Sequence, residues 1–157
     1  MERPVGRSEI GKRVFSHRSS YKGAKYTIIG AMSVDGIVCT KILKGSMNGA
    51  DFLTFIKNDL VPNLHSPNVV IMDNLKAHKV DGVDAAITQT GAKVRYLPRY
   101  SPDFNPIEML WSVLKHFMRL LRPKSLVMIQ HFLNIFPLLL DKSFFKNWFT
   151  KCCYCAT

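Results

Sequence analysis

The stretch "NVVIMDN", residues 68 to 74, decides the fold class. Its apolar run from Val69 to Met72 has no polar alternation, as in a strand whose two faces are both covered. The run ends in Asp73, and in open α/β sheets functional groups gather where such strands end. Upstream, "YTIIGAM" (26 to 32) and "GIVCTKIL" (36 to 43) are rich in β-branched residues. They flank "SVDG", whose Asp-Gly step suits a tight hairpin, so two antiparallel strands are expected. Between hairpin and buried strand, Asn48 offers an N-cap and Phe52, Leu53, Phe55, Ile56 and Leu60 recur at helical spacing. A helix is expected to about Val61, before Pro62.

Downstream, a helix is expected from about Val80 to Thr90, weakened by Gly82 and closed by Gly91, followed by a strand in "AKVRYL". The next helix opens with Asn105 as N-cap, Pro106 at its first position and Glu108 at its third, a capping-box arrangement. Ile107, Leu110, Trp111, Leu114, Met118 and Leu121 form its apolar stripe. A helical region from Leu126 to Leu140 and the aromatic segment "SFFKNWF" complete the pattern. The order of elements is α/β with mixed strand pairing.

The 157 residues fit one domain, and 47% hydrophobic content with ten Phe supplies a sizeable core. With 22 Lys and Arg against 11 acids, the charge of +11 favours a polyanionic partner, either nucleic acid or an acidic membrane surface. Residues 1 to 25 hold seven of those cations and form a basic N-terminal segment ahead of a domain spanning 26 to 157. Cys39, Cys152, Cys153 and Cys155 do not make two metal-binding pairs, and free thiols of an intracellular protein are expected. The N-terminus has no apolar signal region. The most apolar stretch, 126 to 140, is too short to span a bilayer comfortably, so no membrane association is expected.

Singly, the acids have local explanations: Asp73 and Asp103 as turn formers, Glu108 as the capping-box partner. Together, a carboxylate at a buried strand tip and another in the first turn of a later helix can converge on Mg²⁺ through hard oxygen ligands. Two such ions, about 3.5–4 Å apart, drive phosphodiester cleavage. On the helical wheel Lys115, Arg119 and Arg122 fall beside Glu108 and opposite the apolar stripe, a basic ridge suited to phosphates.

"VVIMDNLKAHK", followed 35 positions after Asp73 by the Glu108 of "YLPRYSPDFNPIEMLWSVLK", closely resembles mariner-type DDE transposases, especially their bacterial insertion-sequence relatives. "GAMSVDGIV", "GSMNGADFLTFI" and "NWFTKCCY" resemble further family segments, the last usually written with Gly where Cys153 stands. The resemblance implies an RNase H-like mixed sheet with flanking helices. It implies Asp73 and Glu108 as the second and third acids of a two-ion Mg²⁺ or Mn²⁺ site, with transposon ends and target DNA as substrates. His78 resembles a recurrent family histidine.

The family's first acid lies on the strand before the hairpin, and "VGRSEIGKRV" here resembles the segment after it. The expectation is therefore a sheet lacking its first, central strand and an ion site lacking one ligand. Asp35 belongs to the hairpin tip and does not replace it. The vacant strand position is expected to be filled by "KRVFS", residues 12 to 16, or by a second molecule, as a homo-oligomer or beside an intact transposase. The alternative is a non-catalytic DNA-binding or oligomerising remnant that modulates an intact transposase, or a decayed reading frame.

Overall fold

The Asp-Gly hairpin forms at the place its chemistry suggests. In the computed structural model, which describes residues 9–12, 25–123 and 125–154, strand β1 (Tyr26–Ser33) pairs antiparallel with β2 (Gly36–Lys44). A bulge beside Ala31 and Met32 leaves Val38 without an opposite residue, so Val38 and its neighbour Cys39 both pack on one core.

Helix α1 (Gly49–Phe55) starts at Asn48, whose side chain accepts from the Asp51 N–H while the Asp51 carboxylate accepts from the Asn48 N–H. It runs on through a π turn (Ile56–Leu60) into a 3₁₀ turn (Val61–Asn63), where Pro62 sits early enough to need no N–H. Gly49 lies against Val80, which occupies the space a Cβ would take, and this lets α1 approach the loop after the 3₁₀ turn Lys76–Lys79.

β3 (Val69–Met72) and β4 (Lys93–Tyr96) pair in parallel across helix α2 (Val83–Thr88). The helix begins later than Val80 because Gly82, at φ 92, takes the left-handed conformation, and Gly91 at φ 81 closes the turn after it. Tyr96 Oη donates to Asp84 Oδ1 at 2.6 Å, tying β4 to α2. Burial, then that carboxylate, pushes the phenol up to about 12.

α3 (Ile107–Leu121) carries the expected apolar stripe as far as Met118, whereas Leu121 is exposed. Pro137 divides the region expected to be helical from 126 to 140 into α4 (Leu126–Ile135) and a 3₁₀ turn (Phe136–Leu139). The aromatic segment is the body of α5 (Lys142–Lys151). After it, Cys153 stands at φ 65, a left-handed conformation that a Cβ disfavours by roughly 1–2 kcal/mol. Cys153→Gly is expected to raise stability by about 1 kcal/mol in a urea melt, and an unchanged or lower midpoint would show that the turn is not strained.

The two strand pairs do not hydrogen-bond to each other. Among the described residues, β1 has only β2 as a neighbour and β3 only β4. Residues 13 to 16 of "KRVFS", and most of the basic segment 1–25, lie outside the described residues.

Side chains join what the backbone does not. One core gathers Ile29 of β1, Phe52 and Phe55 of α1, Ile56 and Leu60 of the π turn, Met72 of β3, and Val83 and Ile87 of α2. The other gathers Leu110 and Leu114 of α3, Leu133 of α4, Phe136 of the 3₁₀ turn that follows it, and Phe145 of α5. β1 serves both by alternation, with Ala31 turned to the first core and Ile28 and Met32 to the second.

Candidate active site

Asp73 directly follows the last residue of β3, and its Oδ1 accepts a long bond of 3.4 Å from the Leu75 N–H, the turn role its position suggests. The 3₁₀ turn then brings His78 back, with Nδ1 2.6 Å from Asp73 Oδ1. The two atoms stand at ion-pair distance, although Nδ1 makes no hydrogen bond. The imidazole stacks on Phe52 at 4.1 Å between ring centroids, which fixes its plane.

Glu108 lies in the first turn of α3, but the expected capping box is absent. A capping box needs the free N–H of Asn105, and that N–H donates to the Pro102 carbonyl at 2.9 Å, closing the 3₁₀ turn Pro102–Phe104. The Asn105 carbonyl, not its side chain, accepts from the Glu108 N–H at 3.1 Å. The Glu108 carboxylate is therefore exposed and free of helix-capping duty.

Both acids open onto one cavity of about 760 Å³. Its long walls are β1 and β3. Phe52, Phe55 and Ile56 cover one side, and Ile107 and Trp111 of α3 reach it from the other. Asp35, at the exposed hairpin tip, also touches its lining. Asp103 does not. Among the described residues no three His, Cys, Asp or Glu side chains come together as a cation cage.

Lys115 and Arg119 are exposed on α3, and the Arg119 Nε donates to the Lys115 carbonyl at 3.0 Å. Arg122 departs from the expected ridge: it is the C-cap at φ 45, so the helical wheel no longer governs its direction. Trp111 is half-buried in the second core and stands against Gly30, where a Cβ would lie 3.0 Å from its ring. One contact had no sequence signal, because it joins residues fifty apart: Tyr154 Oη donates to the Phe104 carbonyl at 3.0 Å. That bond fastens the turn leading into Glu108.

Residues 1–126 match the family model of the DDE superfamily endonuclease. The chain belongs to that family. No curated protein matches its sequence. Its fold is that of the RNase H-like catalytic domain of Mos1 mariner transposase. The Mos1 strand transfer complex aligns with a TM-score of 0.74 and 18% identity over 96% of this chain and 47% of that one. The isolated Mos1 catalytic domain aligns at 0.68 and 16%, over 82% and 74%. The same domain solved with raltegravir and Mg aligns at 0.65 and 17%, over 83% and 76%. This member of the DDE superfamily thus spans about half the length of the transposase in the first of these. Among the described residues, no helix is long and apolar enough to cross a membrane.

Proposed function

We propose that this chain contributes two carboxylates, Asp73 and Glu108, to a divalent-cation site for transposase chemistry on DNA, namely cleavage at transposon ends and strand transfer to a target. The observation that carries the proposal is that a strand tip and a helix mouth, 35 positions apart, open onto one cavity. Bound Mg²⁺ or Mn²⁺ supplies nucleophile activation and charge neutralisation in such chemistry. The donor type fits a hard cation that keeps several waters, but two carboxylates neutralise less charge than the three acids that the family resemblance implies for a two-ion site, and no third acid joins them among the described residues. The chain alone is therefore expected to leave transposon-end DNA intact.

The test pairs two readouts. Mn²⁺ should broaden the amide resonances around both Asp73 and Glu108, and lose that effect in Asp73→Ala. Broadening at one acid only would end the shared-site reading. Nicking of DNA by the chain alone, abolished by Asp73→Ala, would instead show that the site is complete.

Lys115 lies seven residues beyond Glu108, about 10 Å along the helix, within reach of a phosphate backbone that passes the acids. Replacing Lys115 and Arg119 together by Gln is expected to flatten the slope of log affinity against log salt by roughly 2, near 0.9 per lost phosphate contact. An unchanged slope would assign these cations to solvent alone. The strand edges exposed in the cavity favour a second reading, in which the chain pairs with an intact transposase and lowers its activity. Mixing the two separates the readings, since only the second requires a partner-dependent change in rate.

A further inference from the structure

The 3₁₀ turn Lys76–Lys79 folds His78 back onto Asp73, and both residues line the cavity. Their surroundings differ. The Asp73 side chain is 39% exposed and that of His78 16%, with Nδ1 shut off from solvent. Helix α1 holds the imidazole in place. Phe52, itself 4% exposed, stacks on the ring at an interplanar angle of 27°, and Val80, just beyond His78, fills the space beside Gly49. The His78 N–H donates to the Leu75 carbonyl at 3.0 Å, so the backbone of the turn is fixed as well.

The two oxygens of Asp73 are not equivalent. Oδ1 is engaged by the protein, since it accepts from the Leu75 N–H and lies 2.6 Å from His78 Nδ1. Oδ2 has no protein partner among the described residues. A carboxylate engaged at one oxygen and open at the other suits a cation on the open side, and outer partners of this kind fix the orientation of a metal-binding group. The contact also selects a tautomer. At 2.6 Å a lone pair on Nδ1 would face those of an anionic oxygen, so the proton of a neutral imidazole belongs on Nδ1. Nδ1 is buried without a hydrogen bond, a costly state for a donor, and Asp73 Oδ1 is the acceptor beside it.

We infer that His78 is a positioning residue for Asp73: its Nδ1–H is held for Oδ1, so that Oδ2 is presented to the divalent cation. His78 acts through Asp73 and supplies no ligand itself. The part played by the cation rests on the shared-site reading above, whereas the tautomer is a property of the chain without metal.

Two measurements on the full chain test it. The first uses no metal: long-range proton–nitrogen correlation spectra in mildly alkaline buffer, where an ordinary imidazole is neutral, read which nitrogen carries the proton. His78 is expected in the Nδ1–H form, and in Asp73→Ala it should revert to the Nε2–H form that free imidazole side chains prefer in water. An Nε2–H imidazole in the wild type, or no change in Asp73→Ala, would overturn the inference. The second measures Mn²⁺ affinity by electron paramagnetic resonance of the free ion, beside urea midpoints, in His78→Leu and His78→Asn. Asn keeps an N–H donor near the place of Nδ1, so it should bind within about threefold of the wild type, whereas Leu should weaken binding by about tenfold or more. Equal weakening in both, in step with lost urea stability, would make His78 a packing residue only. Unweakened binding in His78→Leu would also end the proposal. A wild type that binds no Mn²⁺ would sink the shared-site reading and, with it, the presentation of Oδ2, while the pairing of His78 with Asp73 stands or falls on the metal-free spectra alone.

Discussion

Phe55→Ala is expected to remove a large share of the protein's stability. The ring is 2% exposed and sits in the core that spans both half-sheets, beside Phe52 at 6.3 Å between centroids. Truncating a buried Phe costs about 3–5 kcal/mol, the transfer of the ring plus the cavity left behind. Typical domains hold only about 5–15 kcal/mol in total. Here the two strand pairs share no hydrogen bonds among the described residues, so the side chains of this core are the main link between them. A urea titration should show a midpoint lowered by roughly a third or more of the wild-type value. A loss under about 1 kcal/mol would mean that the core relaxes around the gap and that the half-sheets are joined by something else.

Phe136→Ala removes a ring of equal size, 1% exposed, from the second core, where it touches Phe117 and Phe132 at 6.1 and 5.4 Å. The expected cost is again about 3–5 kcal/mol, but its distribution differs. The second core rests on one face of the hairpin and holds α3, α4 and α5. Its loss should release those helices while α2, β3 and β4 stay packed on the first core. Amide exchange is expected to accelerate strongly in α3 to α5 and little in α2 and β3. Uniform acceleration across the chain would show a single cooperative unit instead. In the localised outcome Glu108 moves away from Asp73, so Mn²⁺ broadening at both acids should disappear with the helices.

Much of this architecture was legible because individual side chains carry it. The β-branched segments flanking the Asp-Gly step, the apolar run before Asp73 and the stripe from Ile107 to Met118 each announce their element, although the run before Asp73 is not covered on both faces as expected, since Val69 is exposed. Both acids could be singled out in the sequence, since a carboxylate at a buried strand end and one at a helix mouth are local facts. Their opening onto one cavity is a product of tertiary packing, which spacing alone does not determine. The absent capping box depends on a competing bond, from the Asn105 N–H to Pro102, that the sequence does not advertise. The bulge near Ala31 is equally silent, because one extra residue in β2 alters no hydrophobic pattern. Gly82 was visible as a weak point in α2, but only its positive φ shows that the helix begins after it. Arg122 misled because a wheel assumes that the helix continues, and the last turn had already ended.

The clasp between Tyr154 and Phe104 places an exposed thiol, Cys153, next to the segment that leads into Glu108. Burial pushes the Cys39 thiol up to about 11 and raises that of buried Cys152, so both resist alkylation near neutrality. In a Cys155→Ser background, a maleimide dye would therefore settle at Cys153. Its emission would then give an optical signal for events at the helix mouth, without touching either acid.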